Sequence, residues 1–228
     1  MVTSETGDVV RRTAVWSIYI QLAFTSVTAG SLLLPLDGKE VALIHIAILE
    51  TVSQVVEFVY YMLAVYYYRG IRTWTRYIDW YVSTPVMLIS FMAFYVYRNS
   101  GRTLDVLFTD PQLAGPTAAI LFLNAAMLTL GLIAELRGDA FAYRMTCLTL
   151  GMVVFLTYSL IIFETHVLHS GDGLLVALFM FVFVVWGCYG IASALPYTTK
   201  NVAYNGLDIV AKNFYGLAIF GYALTRTR

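Results

Sequence analysis

Seven blocks of mostly apolar residues set the limits on this chain. They run over residues 13–34, 41–68, 74–97, 112–136, 141–166, 173–195 and 202–224. About 20 apolar residues cross the hydrocarbon of a bilayer as a helix. Backbone groups in lipid must be satisfied internally, so a span is a helix or part of a closed barrel. These blocks are continuously apolar and too long for barrel strands, which predicts an all-α membrane protein, a seven-transmembrane helix bundle. The breaks carry turn chemistry: Pro35-Leu36-Asp37-Gly38, Arg69-Gly70, Asn99-Ser100-Gly101, Gly138-Asp139, Ser170-Gly171-Asp172-Gly173 and Pro196-Tyr197. A helix with its loop needs about 30 residues, so 228 residues form a single domain, 1–228, with a short polar N-terminus at 1–12.

Composition excludes several classes. Hydrophobic residues make up 60% and charged residues 12%, where a soluble domain carries about 25% charged residues. A soluble enzyme or a disordered chain is therefore excluded, and no enzymatic activity is expected. Lys and Arg number 14, as do Asp and Glu. No basic excess is left to bind nucleic acid. Cys147 and Cys188 both sit inside apolar blocks, which argues against a structural disulfide. Residues 1–12 lack the apolar core of a signal peptide, so the first span is expected to be retained.

Charge does not orient the bundle. Loops on the side of the N-terminus hold Arg11, Arg12, Arg69, Arg72, Arg137, Arg144 and Lys200; the other side holds Lys39, Arg98, Arg102, Arg226 and Arg228. That balance gives the positive-inside rule little to act on.

The informative residues are ionisable ones inside the spans, each costing roughly 2.5–3.5 kcal/mol on insertion scales. Six stand out: Glu50 and Glu57 in the second span, Arg76 and Asp79 in the third, Asp208 and Lys212 in the last. Arg76 and Asp79 share a helix face, as do Asp208 and Lys212. If the two faces meet, the four charges cancel. Such a cluster serves either as a structural salt bridge or as a site for a buried, nucleophilic lysine, the residue type that forms Schiff bases.

The third span reads Arg76-Tyr77-Ile78-Asp79-Trp80-Tyr81-Val82-Ser83-Thr84-Pro85, and the last reads Leu207-Asp208-Ile209-Val210-Ala211-Lys212-Asn213. Together they resemble the microbial (type 1) rhodopsins, over the whole chain. The resemblance implies all-trans retinal bound covalently to Lys212, with Asp79 and Asp208 as counterions and Arg76 just extracellular of them. It also implies an extracellular N-terminus and a cytoplasmic C-terminus. Further pocket positions follow by the same resemblance: Trp80, Thr84 and Met87 in the third span, Asn124, Met127 and Gly131 in the fourth, and Gly151, Met152 and Phe155 in the fifth. The sixth reads Trp186-Gly187-Cys188-Tyr189-Gly190, similar to the family's W-x-x-Y-P. Gly190 departs from the usual Pro, and Ser193 stands where an aromatic is usual.

Retinal does not fix the activity. Outward proton pumps of the family commonly carry a carboxylate three turns beyond Asp79, and here that place is Ser90, which cannot hold and release a proton at physiological pH. Polar rows point elsewhere. Glu50, Ser53 and Glu57 form one stripe, flanked by Gln54; Ser17, Gln21, Thr25 and Thr28 form another; Asn201, Asn205 and Asp208 a third. Interhelical hydrogen bonding is the plain explanation of such rows. An acidic wet path favouring cations is the other. The Glu50–Glu57 stretch and Asn213 resemble channelrhodopsins, which implies a central constriction at Ser17, Glu50 and Asn213, with Glu57 nearer the extracellular mouth. Where algal channels usually have Cys and Asp, this chain has Thr84 and Asn124. Its short loops are closer to channel-like rhodopsins of giant algal viruses. A light-gated cation channel is expected, with an outward proton pump or a photosensor needing a separate transducer as alternatives. Expected partners are the lipid bilayer, cations or protons as cargo, and a possible second copy of the chain.

Overall fold

The computed structural model describes residues 4–36, 40–67, 72–137 and 140–227. Turn residues Asp37, Gly38, Gly70, Gly138 and Asp139, and the loop charges Lys39, Arg69 and Arg228, lie outside them. Helix α1 is Ser4–Gly30, α2 Val41–Met62 and α3 Arg76–Ser100; a short α4, Val106–Thr109, precedes α5, Pro111–Leu136. Then come α6, Phe141–Ile162, α7, Gly173–Ser193, α8, Tyr197–Asp208, and α9, Tyr215–Leu224. Helices α8 and α9 are one continuous rod joined by a wider π-helical stretch, Ile209–Phe214. The spans are therefore α1, α2, α3, α5, α6, α7 and α8–α9, and no strand occurs among the described residues.

Each span packs on the next, and α8–α9 closes the ring against α1 and α7. Five spans are long and apolar enough to cross a membrane on composition alone, from α2 through α7. The first and last are long enough but carry the polar rows facing inward. Their lipid face is still apolar: Trp16, Tyr19 and Leu22 project outward from α1.

Within the short polar stretch 1–12, α1 begins at Ser4. Val10, Ala14, Ser17, Ile18 and Gln21 are buried, at helical spacing. Asp8, Arg11 and Arg12 lie on the outer face of the same helix, so the early residues are one face of a span. Asp110 and Asp172 cap α5 and α7 by accepting from the backbone N–H groups of Gln112 and Leu174, at 3.0 and 2.9 Å.

The Glu135 carboxylate accepts from Lys200, joining the ends of α5 and α8 on the side of the bundle that holds the N-terminus. Lys200, which sequence reading places among the loop charges, is buried there. On the opposite side, the Arg98 guanidinium meets Asp172 at 2.6 Å and Tyr222 at 2.9 Å, tying α3, α7 and α9 together.

Candidate functional site: a buried lysine at the end of an apolar cavity

Lys212 sits inside the π-helical stretch Ile209–Phe214. Local widening of a helix is a frequent device at functional sites. Lys212 is 2% exposed, and its Nζ donates to Asp79 Oδ2 at 2.7 Å. Nζ marks the position that an imine nitrogen takes when an aldehyde is condensed onto this side chain. The faces of α3 and of α8–α9 therefore meet.

Asp208, one turn before Lys212, is surrounded by donors. Arg76 Nη1 lies 3.0 Å and Tyr61 Oη 2.7 Å from its Oδ2. Tyr189 Oη lies 2.7 Å and the Trp80 indole N–H 3.4 Å from Oδ1. The Arg76 guanidinium is itself held by the Asn201 and Asn205 side-chain carbonyls and the Asn201 main-chain oxygen. The rings of Tyr61 and Tyr204 face it at 5.5 and 5.6 Å. Asn205, expected in an ion path, instead clamps Arg76 to α1 by donating to Thr13 Oγ1 at 2.7 Å and the Val10 carbonyl. Tyr61, Tyr204 and Asn201 complete this cage, and their apolar or neutral character gave no reason to select Tyr61 and Tyr204 from the sequence.

Glu57 reaches the lysine: its Oε2 lies 3.9 Å from Lys212 Nζ, and the residue is fully buried. Its Oε1 accepts from Gln21 Nε2 at 3.0 Å, and the same amide nitrogen reaches Ser17 Oγ at 2.8 Å. Ser17 therefore belongs with Gln21 and Glu57, and the expected constriction of Ser17, Glu50 and Asn213 is not assembled. Both oxygens of Glu50 and both polar atoms of the Asn213 side chain lack a hydrogen-bond partner among the described residues. Ser90 and Tyr215 are close enough to Glu50 to interact, outside hydrogen-bond geometry. Gln54 Nε2 reaches Thr28 Oγ1 at 3.3 Å and the Lys212 carbonyl at 3.4 Å. It lies over Gly216, where any Cβ would collide with it.

From Lys212 a cavity of about 830 Å³, its open mouth included, extends between α3, α5, α6 and α7. Trp80, Thr84 and Met87 line it from α3, and Met127 and Gly131 from α5. Gly151, Met152 and Phe155 line it from α6; Trp186, Tyr189, Gly190 and Ser193 from α7. Asn124 stands one layer behind, its Nδ2 donating to Thr84 Oγ1 at 2.9 Å. Cys147, Leu148 and Tyr158 also line the cavity. Their identity as apolar span residues could not distinguish them from lipid-facing neighbours. Two glycines fit their surroundings closely. A Cβ at Gly131 would lie 2.6 Å from Tyr77 Oη, and one at Gly190 would run into the Met152 methyl. α7 passes Gly190 without interruption. A largely apolar molecule that can join an amine suits this cavity, whose lining is mostly apolar and includes Lys212.

A membrane bundle of seven helices with a buried amine at the end of an apolar slot defines a class, and comparison with known proteins agrees. The model of the bacteriorhodopsin-like protein family matches residues 14–226. The chain belongs to that family, the microbial rhodopsins. It is an integral, multi-pass membrane protein of the bilayer, and proteins of the family bind retinal through a Schiff-base lysine. Among solved structures, viral rhodopsin OLPVRII superposes with a TM-score of 0.80 at 22% identity, covering 95% of this chain and 98% of that one. The light-driven proton pump Coccomyxa subellipsoidea rhodopsin gives 0.68 at 21% identity, covering 96% and 97%. Halorhodopsin, a light-driven chloride pump, gives 0.74 at 14% identity, covering 95% and 96%. At these identities the likeness is one of fold. No curated protein matches in sequence.

Proposed function

We propose that this rhodopsin is a light-gated cation channel in which Lys212 carries retinal, Asp79 and Asp208 are its counterions, and the N-terminus is extracellular. When bound, retinal supplies a light-absorbing imine whose isomerisation displaces charge at the Lys212 end of the cavity. Asp79 Oδ2, at 2.7 Å, is the group placed to take a proton leaving Lys212 Nζ. Trp80, Trp186 and Met87 line the slot, and the cage around Asp208 holds that carboxylate in place.

One observation carries the channel reading. Between α1, α2, α3 and α8–α9, Glu50, Ser53, Ser90, Asn213 and Tyr215 have buried polar atoms with no hydrogen-bond partner among the described residues. Most buried polar groups are paired, and polar sites with spare donors and acceptors take up water. A wet row with a carboxylate in it admits cations in preference to anions. A second reading, an outward proton pump, is favoured by Glu50 itself. It sits beside Ser90, so α2 supplies a carboxylate next to the place where pumps of the family carry one on α3.

Voltage-clamp recording under illumination, with sodium and proton gradients varied separately, separates the two. A channel current reverses sign with the driving force. A current that stays outward against an opposing gradient overturns the channel reading in favour of the pump.

A further inference from the structure

The groups around Lys212 do not balance in charge. Two cations, Lys212 and Arg76, face three carboxylates, Asp79, Asp208 and Glu57. With all five ionised the site carries 2 − 3 = −1. Condensing an aldehyde onto Lys212 leaves the count unchanged while the imine is protonated. A buried charge without compensation is the costliest arrangement in a low-dielectric interior, so one of the three acids holds a proton.

Geometry distinguishes them. Asp208 accepts from Arg76, Tyr61, Tyr189 and Trp80. Asp79 takes the short bond from Lys212 Nζ. Glu57 accepts a single amide N–H, on Oε1; its Oε2 has no hydrogen-bond partner among the described residues and stands 3.9 Å from Nζ. Facing Glu57 are Gln21 and Ser17 from α1, Asp79 and Arg76 from α3, Tyr189 from α7, and Asp208 and Lys212 from the last span, with Tyr61 on its own helix. Neither Gln21 nor Ser17 brings a positive charge to it.

We infer that Glu57 is the neutral third acid of the lysine site, carrying its proton on Oε2 at rest and tuning the chromophore when it loses it. The ionisation breaks the Oε2–H bond, leaves the electron pair on the carboxylate and passes the proton to bulk water. It places a second negative charge within 4 Å of Nζ. An added anion near a protonated imine stabilises its ground-state charge and moves absorption to the blue. The colour part of this inference rests on the reading of Lys212 as the retinal carrier; the proton part does not.

The experiment has two arms. Infrared spectra of the chromophore-free protein read the protonated-carboxyl C=O stretch directly. Glu57→Gln is expected to remove one such band that Glu50→Gln leaves in place. Should Glu57→Gln fail to fold, Gln21→Leu is expected to move the same band to higher frequency, because the carbonyl loses its donor. In the second arm, retinal-loaded protein is titrated to alkaline pH. The wild type is expected to shift to the blue and Glu57→Gln to lose that shift. An unchanged infrared band in Glu57→Gln, with its loss in Asp79→Asn, overturns the inference by moving the proton to Asp79. A loaded protein without a visible band overturns the retinal reading instead, and the infrared arm still decides the proton.

Discussion

Asp208 and Glu50 are both fully buried acids in the same ring of helices, yet their surroundings are opposites. Asp208 receives four donors, and the arginine beside it is held in turn by two asparagines. Among the described residues Glu50 receives none, and neither do Ser90, Asn213 and Tyr215. A saturated buried network rigidifies, and an unsaturated one leaves groups free to rearrange or hydrate. The first region therefore fixes the geometry of the lysine. The second, two turns along α2 from Glu57, is where a change at Lys212 has room to act. Lys212 lies between them, bonded to Asp79 on one side and preceding Asn213 on the other.

The largest expected effect removes what both regions serve. Lys212→Ala abolishes the visible absorption band of retinal-reconstituted protein; a retained band overturns the attachment site. Next comes the cage. Arg76→Gln strips Asp208 of its cation, and breaking a buried pair in this way costs about 3–5 kcal/mol. Glu50→Gln removes no bonded partner and is expected to leave thermal bleaching near that of the wild type, while changing photocurrent size or cation preference. Equal thermal losses in the two variants would erase the contrast between the regions.

Within the lysine site the same contrast orders the counterions. Asp79 Oδ1 has no hydrogen-bond partner among the described residues, whereas every donor around Asp208 is committed. Asp79→Asn is expected to red-shift the absorption maximum, and more than Asp208→Asn does. A larger shift in Asp208→Asn would make Asp208 the main counterion and leave Asp79 a subordinate partner.

The sequence carried this arrangement unevenly. Spacing puts Arg76 with Asp79, and Asp208 with Lys212, on single faces, and the structure brings the two faces together. Spacing also puts Glu50, Ser53 and Glu57 on one stripe. It does not say which level of a neighbouring helix each residue faces. The contact of Gln21 with Glu57 joins residues 36 apart, and only the stagger of α1 against α2 sets it. The resemblance groups Ser17 with Glu50, whereas the stagger brings it to Gln21 beside Glu57. Asn205 reads as part of a polar row, because nothing in its sequence neighbourhood shows that Arg76, Tyr61, Thr13 and Val10 take up its amide. Tyr61 and Tyr204 were passed over for a different reason: an aromatic in an apolar span looks the same whether it faces lipid or an arginine. The cavity lining was legible where a motif fixed it, at Trp80, Trp186 and Tyr189, and illegible at Cys147 and Tyr158.

The smallest effect lies outside the membrane and checks that the contrast belongs to the buried helices. Asp110 caps α5, and the backbone N–H of Gln112 together with the Arg102 guanidinium, at 3.0 and 2.8 Å, holds its carboxyl below the usual range. A carboxyl held low in the folded state contributes stability that is present above its ordinary value and lost as pH falls through the folded value. Asp110 is surface-exposed in this respect and its pair is screened by solvent. Asp110→Ala is thus expected to lower the thermal bleaching temperature slightly at neutral pH, with the gap to wild type closing on acidification and with no change in absorption maximum. A gap that persists below the folded value would show that the cap acts through packing of α4 on α5 and not through its charge, while a spectral shift would mean that this end of α5 communicates with the cavity through Asn124 and Thr84.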